Sequence, residues 1–403
     1  MKKKVLFILS TLNTGGAQRA FSNVIMGLPD DWEIDILLND ACDIVYPYKG
    51  NIIDLGFLPK ANKNSVFYQG KVFVKRFFKL KELKRKKGYI ASVSALESAN
   101  VVNILSGNKY CKTIVSLREY RSAPQKRIPL KKVIDFLIRK LYNKADKVIA
   151  VSKGIQEDLI INYGIRPQKI TTIYNGYPIK EIHKKATEEN NLHEMSDILN
   201  ESPVLITVGR LSVEKGYDHL LRVVSIVKKK IRDVHLVFIG DGELRNEIEE
   251  LAELLEIRNS ISFLGFQKNP FSIVSKAKLF VLSSYWEGFP NALAEALVCG
   301  VPCVSVDCKT GPREIMMPDT EKKDFLNEGS EDTPYGVLCP VFKGKGFAMT
   351  KEIADEEEIM AKEIVDLLLQ KDKYKQKKKA IPQLWDSLSI DTAVSQWIEV
   401  ICE

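Results

Sequence analysis

The strongest constraint on this chain is a rhythm. Short apolar runs of about five residues end at glycines or small polar residues, and amphipathic stretches follow them. Val5–Leu9 leads into Asn13-Thr14-Gly15-Gly16, Val204–Val208 into Gly209-Arg210, and His235–Ile239 into Gly240-Asp241-Gly242. Between the runs, Gly15–Leu28 puts Ala17, Ala20, Phe21, Val24, Ile25 and Leu28 on one helical face. Tyr217–Lys230 and Glu243–Leu255 also read as helices. Ile34–Leu38, Lys112–Ser116, Lys147–Val151, Ile261–Leu264, Leu279–Leu282 and Cys303–Val306 read as further strands. Strand–helix alternation of this kind predicts an α/β fold with a doubly wound parallel sheet.

The rhythm restarts in the back half, and 403 residues exceed what one core usually holds. Two Rossmann-like domains are therefore expected, residues 1–184 and 185–384, with the polar segment 185–200 between them. Residues 315–335 read as a loop insertion and 371–379 as a lysine-rich, solvated helix end. Ile390–Ile401 reads as an amphipathic helix through Val394, Trp397, Ile398 and Ile401.

Charge is unevenly spread. Residues 1–180 carry 32 Lys+Arg against 14 Asp+Glu, a net of +18, while residues 181–403 carry 28 against 38, a net of −10. A basic half suits phosphates: a nucleic acid, an anionic membrane face or a phosphorylated substrate. Lys71–Lys87 holds nine Lys/Arg and one Glu interleaved with Val72, Phe73, Val74, Phe77, Phe78, Leu80 and Leu83, and Arg127–Lys147 is similar. Such segments suit an anionic leaflet. The bland alternative is a helix packed on the sheet with its lysines in water. No nucleic-acid motif accompanies the charge.

The apolar run Val5–Leu9 is too short for a secretory core, and no run reaches the about 18 residues of a membrane span. Seven scattered cysteines without a C-x-x-C read as free thiols in a reducing cytoplasm. Four histidines without ligand spacing, and no Asp-x-Asp anywhere, imply no metal.

The chemistry concentrates in Trp286-Glu-Gly-Phe-Pro-Asn-Ala-Leu-Ala-Glu295. Val281–Ser284 ends a strand, so Tyr285–Pro290 is a loop at its carboxyl end, where open α/β sheets bind ligands. Pro290 suits the first helical turn and Asn291 its cap. The N–H groups of that helix start favour an anion. Glu287 and Glu295 beside them suit hydroxyls, so the segment fits a ligand with both phosphate and hydroxyls, a nucleotide sugar. The alternative leaves Glu295 complementing the helix dipole and Glu287 in solvent. Arg210 and Lys215, at the end of another strand, are placed for a diphosphate. Gly15 and Gly16 let backbone amides approach a phosphate closely. Gly240-Asp241-Gly242 lacks the third glycine of a dinucleotide site.

Taken together, Gly15-Gly-Ala-Gln-Arg, Gly209-Arg-Leu-Ser-Val-Glu-Lys-Gly and Glu287-Gly-Phe-Pro-Asn-Ala-Leu-Ala-Glu resemble the retaining glycosyltransferases of family 4, with the GT-B fold. Val148-Ile-Ala-Val-Ser-Lys-Gly-Ile and Phe263-Leu-Gly-Phe sit where that family has similar stretches. The resemblance implies two domains facing across a cleft, with the C-terminal helix 385–403 crossing back to the first. It places the nucleotide sugar, a UDP-sugar by family frequency, on the second domain. Arg210 and Lys215 would then hold the diphosphate, Glu287 the transferred sugar and Glu295 the ribose. Phe289, Asn291 and Ala292 would line sugar and phosphate, Phe266 and Gln267 would edge the base, and Gly15 and Gly16 would close on the phosphate.

Catalysis would be same-face attack, with the departing phosphate oxygen helping to deprotonate the acceptor. Where many relatives carry a histidine, this chain reads Ser116-Leu-Arg118, as do some relatives of surface-polysaccharide pathways. Arg118 would touch donor or acceptor, or pair with Glu119. The expectation is a cytoplasmic, membrane-peripheral glycosyltransferase acting on a glycan or lipid-linked acceptor. An epimerase and a non-catalytic scaffold are the competing classes.

Overall fold

The computed structural model describes residues 2–13, 15–57, 66–122, 131–189, 198–199, 202–320, 325–344 and 346–403. The chain divides into two compact units. Unit 1 is Met1–Tyr177 with Leu388–Glu403, and unit 2 is Pro178–Ser387.

Unit 1 carries a seven-stranded sheet of β1 (Lys4–Ile8), β2 (Glu33–Leu38), β3 (Asn51–Asp54), β4 (Ala91–Ala95), β5 (Lys112–Leu117), β6 (Lys147–Ala150) and β7 (Ile170–Thr172), in the order β3-β2-β1-β4-β5-β6-β7. Every pairing is parallel. Parallel strands are covered on both faces, which is why they are apolar runs rather than alternating ones. β1, for example, buries Val5, Leu6, Phe7 and Ile8 completely. The terminal helix Ile390–Cys402 belongs to this unit, and Trp397 lies edge-on to Phe21, ring centroids 5.6 Å apart. Val394, Val400 and Ile401 join the same core.

Unit 2 repeats the scheme with β8 (Val204–Val208), β9 (His235–Ile239), β10 (Ile261–Phe263), β11 (Leu279–Leu282), β12 (Cys303–Val306), β13 (Glu331–Thr333) and β14 (Gly336–Cys339), in the order β10-β9-β8-β11-β12-β14-β13. The exception to the parallel rule is β13, which runs antiparallel to β14 at the sheet edge. The stretch expected as a loop insertion therefore ends in an edge strand; its residues 321–324 lie outside the described ones.

Three other expectations need revision. The helix after β11 is Asn291–Val298, with Pro290 at the cap position and no side-chain cap hydrogen bond. Asn291 is thus the first helical residue and not the cap, because proline's fixed φ already suits the entry. The lysine-rich segment is a full helix, Lys371–Ala380, and Lys377 is buried, its ammonium held by Asp332 and Thr333 O. The polar stretch from residue 185 begins inside a helix, Ile179–Ala186, of unit 2; residues 190–197 and 200 lie outside the described ones.

The basic segment 71–87 falls in a helix, Val66–Lys86, with an unusual division of faces. Its inner face buries cations as well as Val72, Leu80 and Leu83. Lys84 donates to Asn103 O, Gly107 O and Thr113 Oγ1 at 2.9–3.1 Å, and Arg76 donates to Asn39 and Ser98. Its outer face exposes Phe67, Val74 and Phe78 beside Lys71 and Lys75. Of the second basic segment, Lys131–Leu141 is a helix exposing Val133 and Phe136, and residues 123–130 lie outside the described ones. Among the described residues no helix is long and apolar enough to cross a membrane. All seven cysteines are free; Cys111, Cys303, Cys308 and Cys339 are buried.

Candidate active site

In a doubly wound sheet the chain winds outward in both directions from a switch point, and the loops on either side of it diverge to leave a crevice at the carboxyl ends. In unit 2 that point lies between β8 and β11. The loop after β8 carries Arg210 and Lys215; the loop after β11 carries Glu287. Lys215 lies in a short 3-10 turn, Val213–Lys215, ended by Gly216 in the left-handed conformation. A Cβ on Gly216 would stand 2.4 Å from Ser283 O, so glycine alone lets the two loops touch. Ser283 Oγ donates to Lys215 O at 2.7 Å, and the Tyr285 N–H to Glu214 O at 2.9 Å.

Across this junction Lys215 Nζ donates to Glu287 Oε1 at 2.7 Å. The Ser284 hydroxyl donates to the same oxygen at 2.7 Å. Both ions are largely withdrawn from water, with 21% and 13% of their side chains exposed. Burial alone would depress the Lys215 pKa, but the facing Glu287 carboxylate, joined by Tyr217 and Glu214, outweighs it and the net shift is upward. The ammonium is therefore firmly charged at neutral pH. Burial also drives the Cys308 thiol up, helped by the negative charge of Glu287, so this neighbour stays protonated.

Five of the anticipated residues lie on the loops that carry this pair or on the helix that follows; Phe266 and Gln267 lie two strands from β8, after β10. Phe289 is buried in the β11 loop, and Asn291 and Ala292 form the first turn of the following helix, half-buried. Glu295 sits one turn further on and is buried. Phe266 and Gln267 follow β10; Phe266 is exposed, and Gln267 Nε2 donates to Leu264 O at 2.5 Å. Arg210 is exposed at the end of β8 and stands outside the Lys215–Glu287 pair. Gly15, Gly16 and Arg118 belong to unit 1. Gly15 and Gly16 lie between β1 and the helix Gly16–Gly27, at that sheet's own switch point between β1 and β4. Arg118, at the end of β5, donates to Asn175 Oδ1 and lies 5.2 Å over the Phe21 ring.

Several side chains at the unit 2 site carry no sequence signal of their own. Ser284, Tyr285 and Thr310 join it through folding. Thr310 Oγ1 donates to Glu287 O at 2.6 Å. Tyr285 OH meets His219 Nε2 at 2.9 Å, and His219 Nδ1 meets Glu357 Oε1 at 2.5 Å. Arg222 Nε also donates to Glu357, and Arg222 Nη2 to Asp218. The Thr310-Gly311-Pro312 turn was visible as a Gly-Pro signal, but its contact with Glu287 was not. Among the described residues no group of three His, Cys, Asp or Glu is arranged to hold a metal.

A part-buried ion pair at the switch point, in the loop that leads into a helix start, lies where open α/β sheets bind ligands and where a helix N-terminus favours an anion. The comparisons narrow the class. Residues 188–324 match the family "Glycosyl transferases group 1" and residues 108–181 match "Glycosyltransferase Family 4". The N-acetylgalactosamine-N,N'-diacetylbacillosaminyl-diphospho-undecaprenol 4-alpha-N-acetylgalactosaminyltransferase of Campylobacter jejuni is 31% identical over 79% of this chain and 84% of its own. An uncharacterized glycosyltransferase of Methanocaldococcus jannaschii is 30% identical over 66% of each chain. Among solved structures, Anabaena HepE in complex with UDP and glucose superposes with a TM-score of 0.73 at 18% identity, covering 99% of both chains. The fold is GT-B. The chain belongs to glycosyltransferase family 4 and is a glycosyltransferase.

Proposed function

We propose that this enzyme moves a sugar, with retention at the anomeric carbon, from a UDP-sugar to a lipid-linked glycan at the cytoplasmic face of a membrane. The pathway would be of the capsule, exopolysaccharide or O-antigen type. The observation that carries the reading is the Lys215–Glu287 pair bridging the switch point beside the helix Asn291–Val298.

A donor here breaks its bond between the sugar's C1 and the diphosphate oxygen, and negative charge grows on the departing diphosphate. Lys215 has three N–H donors, and Glu287 accepts one of them. The others are assigned to that diphosphate, together with Arg210 and the helix start at Asn291 and Ala292. Glu287 then offers its second carboxylate oxygen to a sugar hydroxyl, and Glu295 serves the ribose. Phe289 shapes the sugar pocket, and Phe266 and Gln267 border the base. The acceptor oxygen bonds to C1 on the same face, and its proton passes to the departing phosphate oxygen. Gly15 and Gly16 are assigned to phosphate, for which the Gly15 N–H would exchange its bond to Tyr46 OH, and Arg118 a place beside the donor or acceptor.

The choice of UDP is supported by HepE, which was solved with that nucleotide. The choice of a lipid-linked acceptor is supported by the Campylobacter relative, whose named substrate is a diphospho-undecaprenol. Membrane docking is assigned to the outer face of the helix Val66–Lys86. There Phe57, Phe67, Lys71, Val74 and Lys75 line a groove of about 630 Å³, combining apolar insertion with cationic attraction.

The test is thermal shift of the protein against UDP, GDP, ADP and TDP, followed by UDP release from a panel of UDP-sugars with product analysis. A melting rise with UDP and slow UDP release support the reading. No rise with any nucleotide would favour a scaffold, and an isomerised sugar without UDP release an epimerase.

A further inference from the structure

Thr310 is one of three non-glycine residues in the chain with positive φ among those described; the others are Leu96 and Glu256. Its φ is 73°, a conformation that β-branched residues seldom adopt because Cβ crowds the backbone. It is 3% exposed and lies in the loop after β12. Such backbone persists where the surroundings over-determine it, and here the loop is held on both sides of Thr310, at Asp307 and at Gly311. Asp307 at the loop's start is held by Arg313, whose Nη2 donates to Oδ2 at 2.5 Å, and by the Leu326 N–H at 3.0 Å. The Asp307 N–H donates to Cys339 O at 2.7 Å. Gly311, next in the chain, has φ 102° and rests on the β11 loop: a Cβ there would stand 2.4 Å from Pro290 Cδ and 3.0 Å from Phe289 Cα.

The consequence of this arrangement is a single hydrogen bond. With its backbone left-handed, Thr310 delivers its hydroxyl to the main-chain oxygen of Glu287 at 2.6 Å. Glu287 is thus gripped at both ends. Lys215 and Ser284 hold its carboxylate, and Thr310 holds its peptide. The Ser283–Pro290 connection is a loop tied to the β8 loop through Ser283 Oγ to Lys215 O and the Tyr285 N–H to Glu214 O, and Thr310 adds the tie at the Glu287 peptide itself.

We propose that Thr310 is a positioning residue for glycosyl transfer: its strained backbone and hydroxyl lock the Glu287 peptide so that the carboxylate faces the donor sugar. This rests on the role assigned to Glu287 above. Glycine at this position would adopt the same φ without strain but supplies no hydroxyl. The threonine therefore costs stability for the sake of one bond, the signature of a functional constraint rather than of packing.

The experiment compares Thr310→Ser, Thr310→Val, Thr310→Gly and Glu287→Gln in the full chain, with two readouts. The first is hydrogen exchange of amides in the 283–291 peptides. The second is UDP release from the UDP-sugar giving the largest release in the panel above, resolved into kcat and KM. In Thr310→Val and Thr310→Gly, exchange in 283–291 rises about tenfold and kcat falls about tenfold, with KM within about threefold. Thr310→Gly keeps or raises the melting temperature while losing rate, which a merely structural residue would not do. Thr310→Ser restores both readouts. In the Glu287→Gln background, Thr310→Val adds little, because the residue acts through Glu287.

Unchanged exchange or unchanged kcat in Thr310→Val and Thr310→Gly, with Glu287→Gln inactive, overturns this proposal alone. Near-normal turnover in Glu287→Gln overturns the Glu287 assignment and this proposal with it. Additive losses in the double variant show Thr310 acting elsewhere and also overturn it.

Discussion

The two units share one topology and use its edge differently. Each winds a seven-stranded sheet outward from a switch point, β1/β4 in unit 1 and β8/β11 in unit 2. At the unit 2 switch point, a cation and a carboxylate from different loops meet with little water around them. At the unit 1 switch point the chain places two glycines instead, and its charged groups near the carboxyl edge are engaged with protein neighbours. Arg118 is held by Asn175 and Phe21, and Arg121 is buried between Glu97 at 2.9 Å and Asp135 at 3.1 Å. The net charges differ in the same sense, with the surplus of cations in the front half. Topology thus provides the crevice, and side-chain chemistry decides what each crevice can hold.

The sharpest way to break this contrast is in unit 2. Lys215→Ala and Glu287→Gln are each expected to cut turnover by about 10²–10³-fold, as loss of a preorganised transition-state partner does. UDP release at saturating UDP-sugar checks this, with circular dichroism to show the fold intact; near-normal rates would dissolve the distinction between the two edges. In unit 1 the expected loss is of stability. Arg118→Ala removes a charged hydrogen bond and a cation–π contact, together worth about 2 kcal/mol, or about 4–8 °C in melting temperature. Transfer that stays normal in the folded variant would withdraw the place assigned to Arg118 beside the donor or acceptor and leave it a structural residue.

The next effect sharpens the charge contrast. Removing Lys71 and Lys75 together, as alanines, should weaken binding to phosphatidylglycerol vesicles about tenfold or more, at about 1 kcal/mol per cation. Binding that falls equally on neutral vesicles would locate the interaction in Phe67 and Phe78 instead.

The smallest effect concerns the buried network behind the unit 2 loops. Burial would raise the Glu357 pKa, but hydrogen bonds from His219, the Ala354 N–H and Arg222 overcome it and leave the carboxyl below its ordinary 4.5. A carboxyl lowered on folding contributes stability that is present above pH 4.5 and lost as pH falls through the folded value. Urea unfolding of the wild type and Glu357→Gln should therefore differ most at pH 6–7 and converge toward pH 3. A gap that widened on acidification would reverse the assignment.

Sequence alone determined the repeated strand–helix rhythm, because parallel strands covered on both faces must be apolar and their helices amphipathic. It also singled out the loops proposed to carry chemistry, because glycine, proline and paired charges at strand ends are local signals. The place of Lys215 and Glu287 at strand ends was legible in this way, and so was the family resemblance.

The antiparallel β13 was not legible, because three polar-edged residues at a sheet margin carry no periodicity. The capping residue was misassigned because proline and asparagine both favour helix starts, and only backbone angles separate them. The burial of Arg76, Lys84 and Lys377 contradicts their residue types and follows from carbonyl and side-chain oxygens brought to them from distant segments. Only tertiary structure decided that Lys215 pairs with Glu287, 72 positions away, and that Thr310 grips the same residue from 23 positions on. The physical reason is the sheet: β11 lies between β8 and β12, so their carboxyl-end loops are neighbours at an edge no local pattern describes.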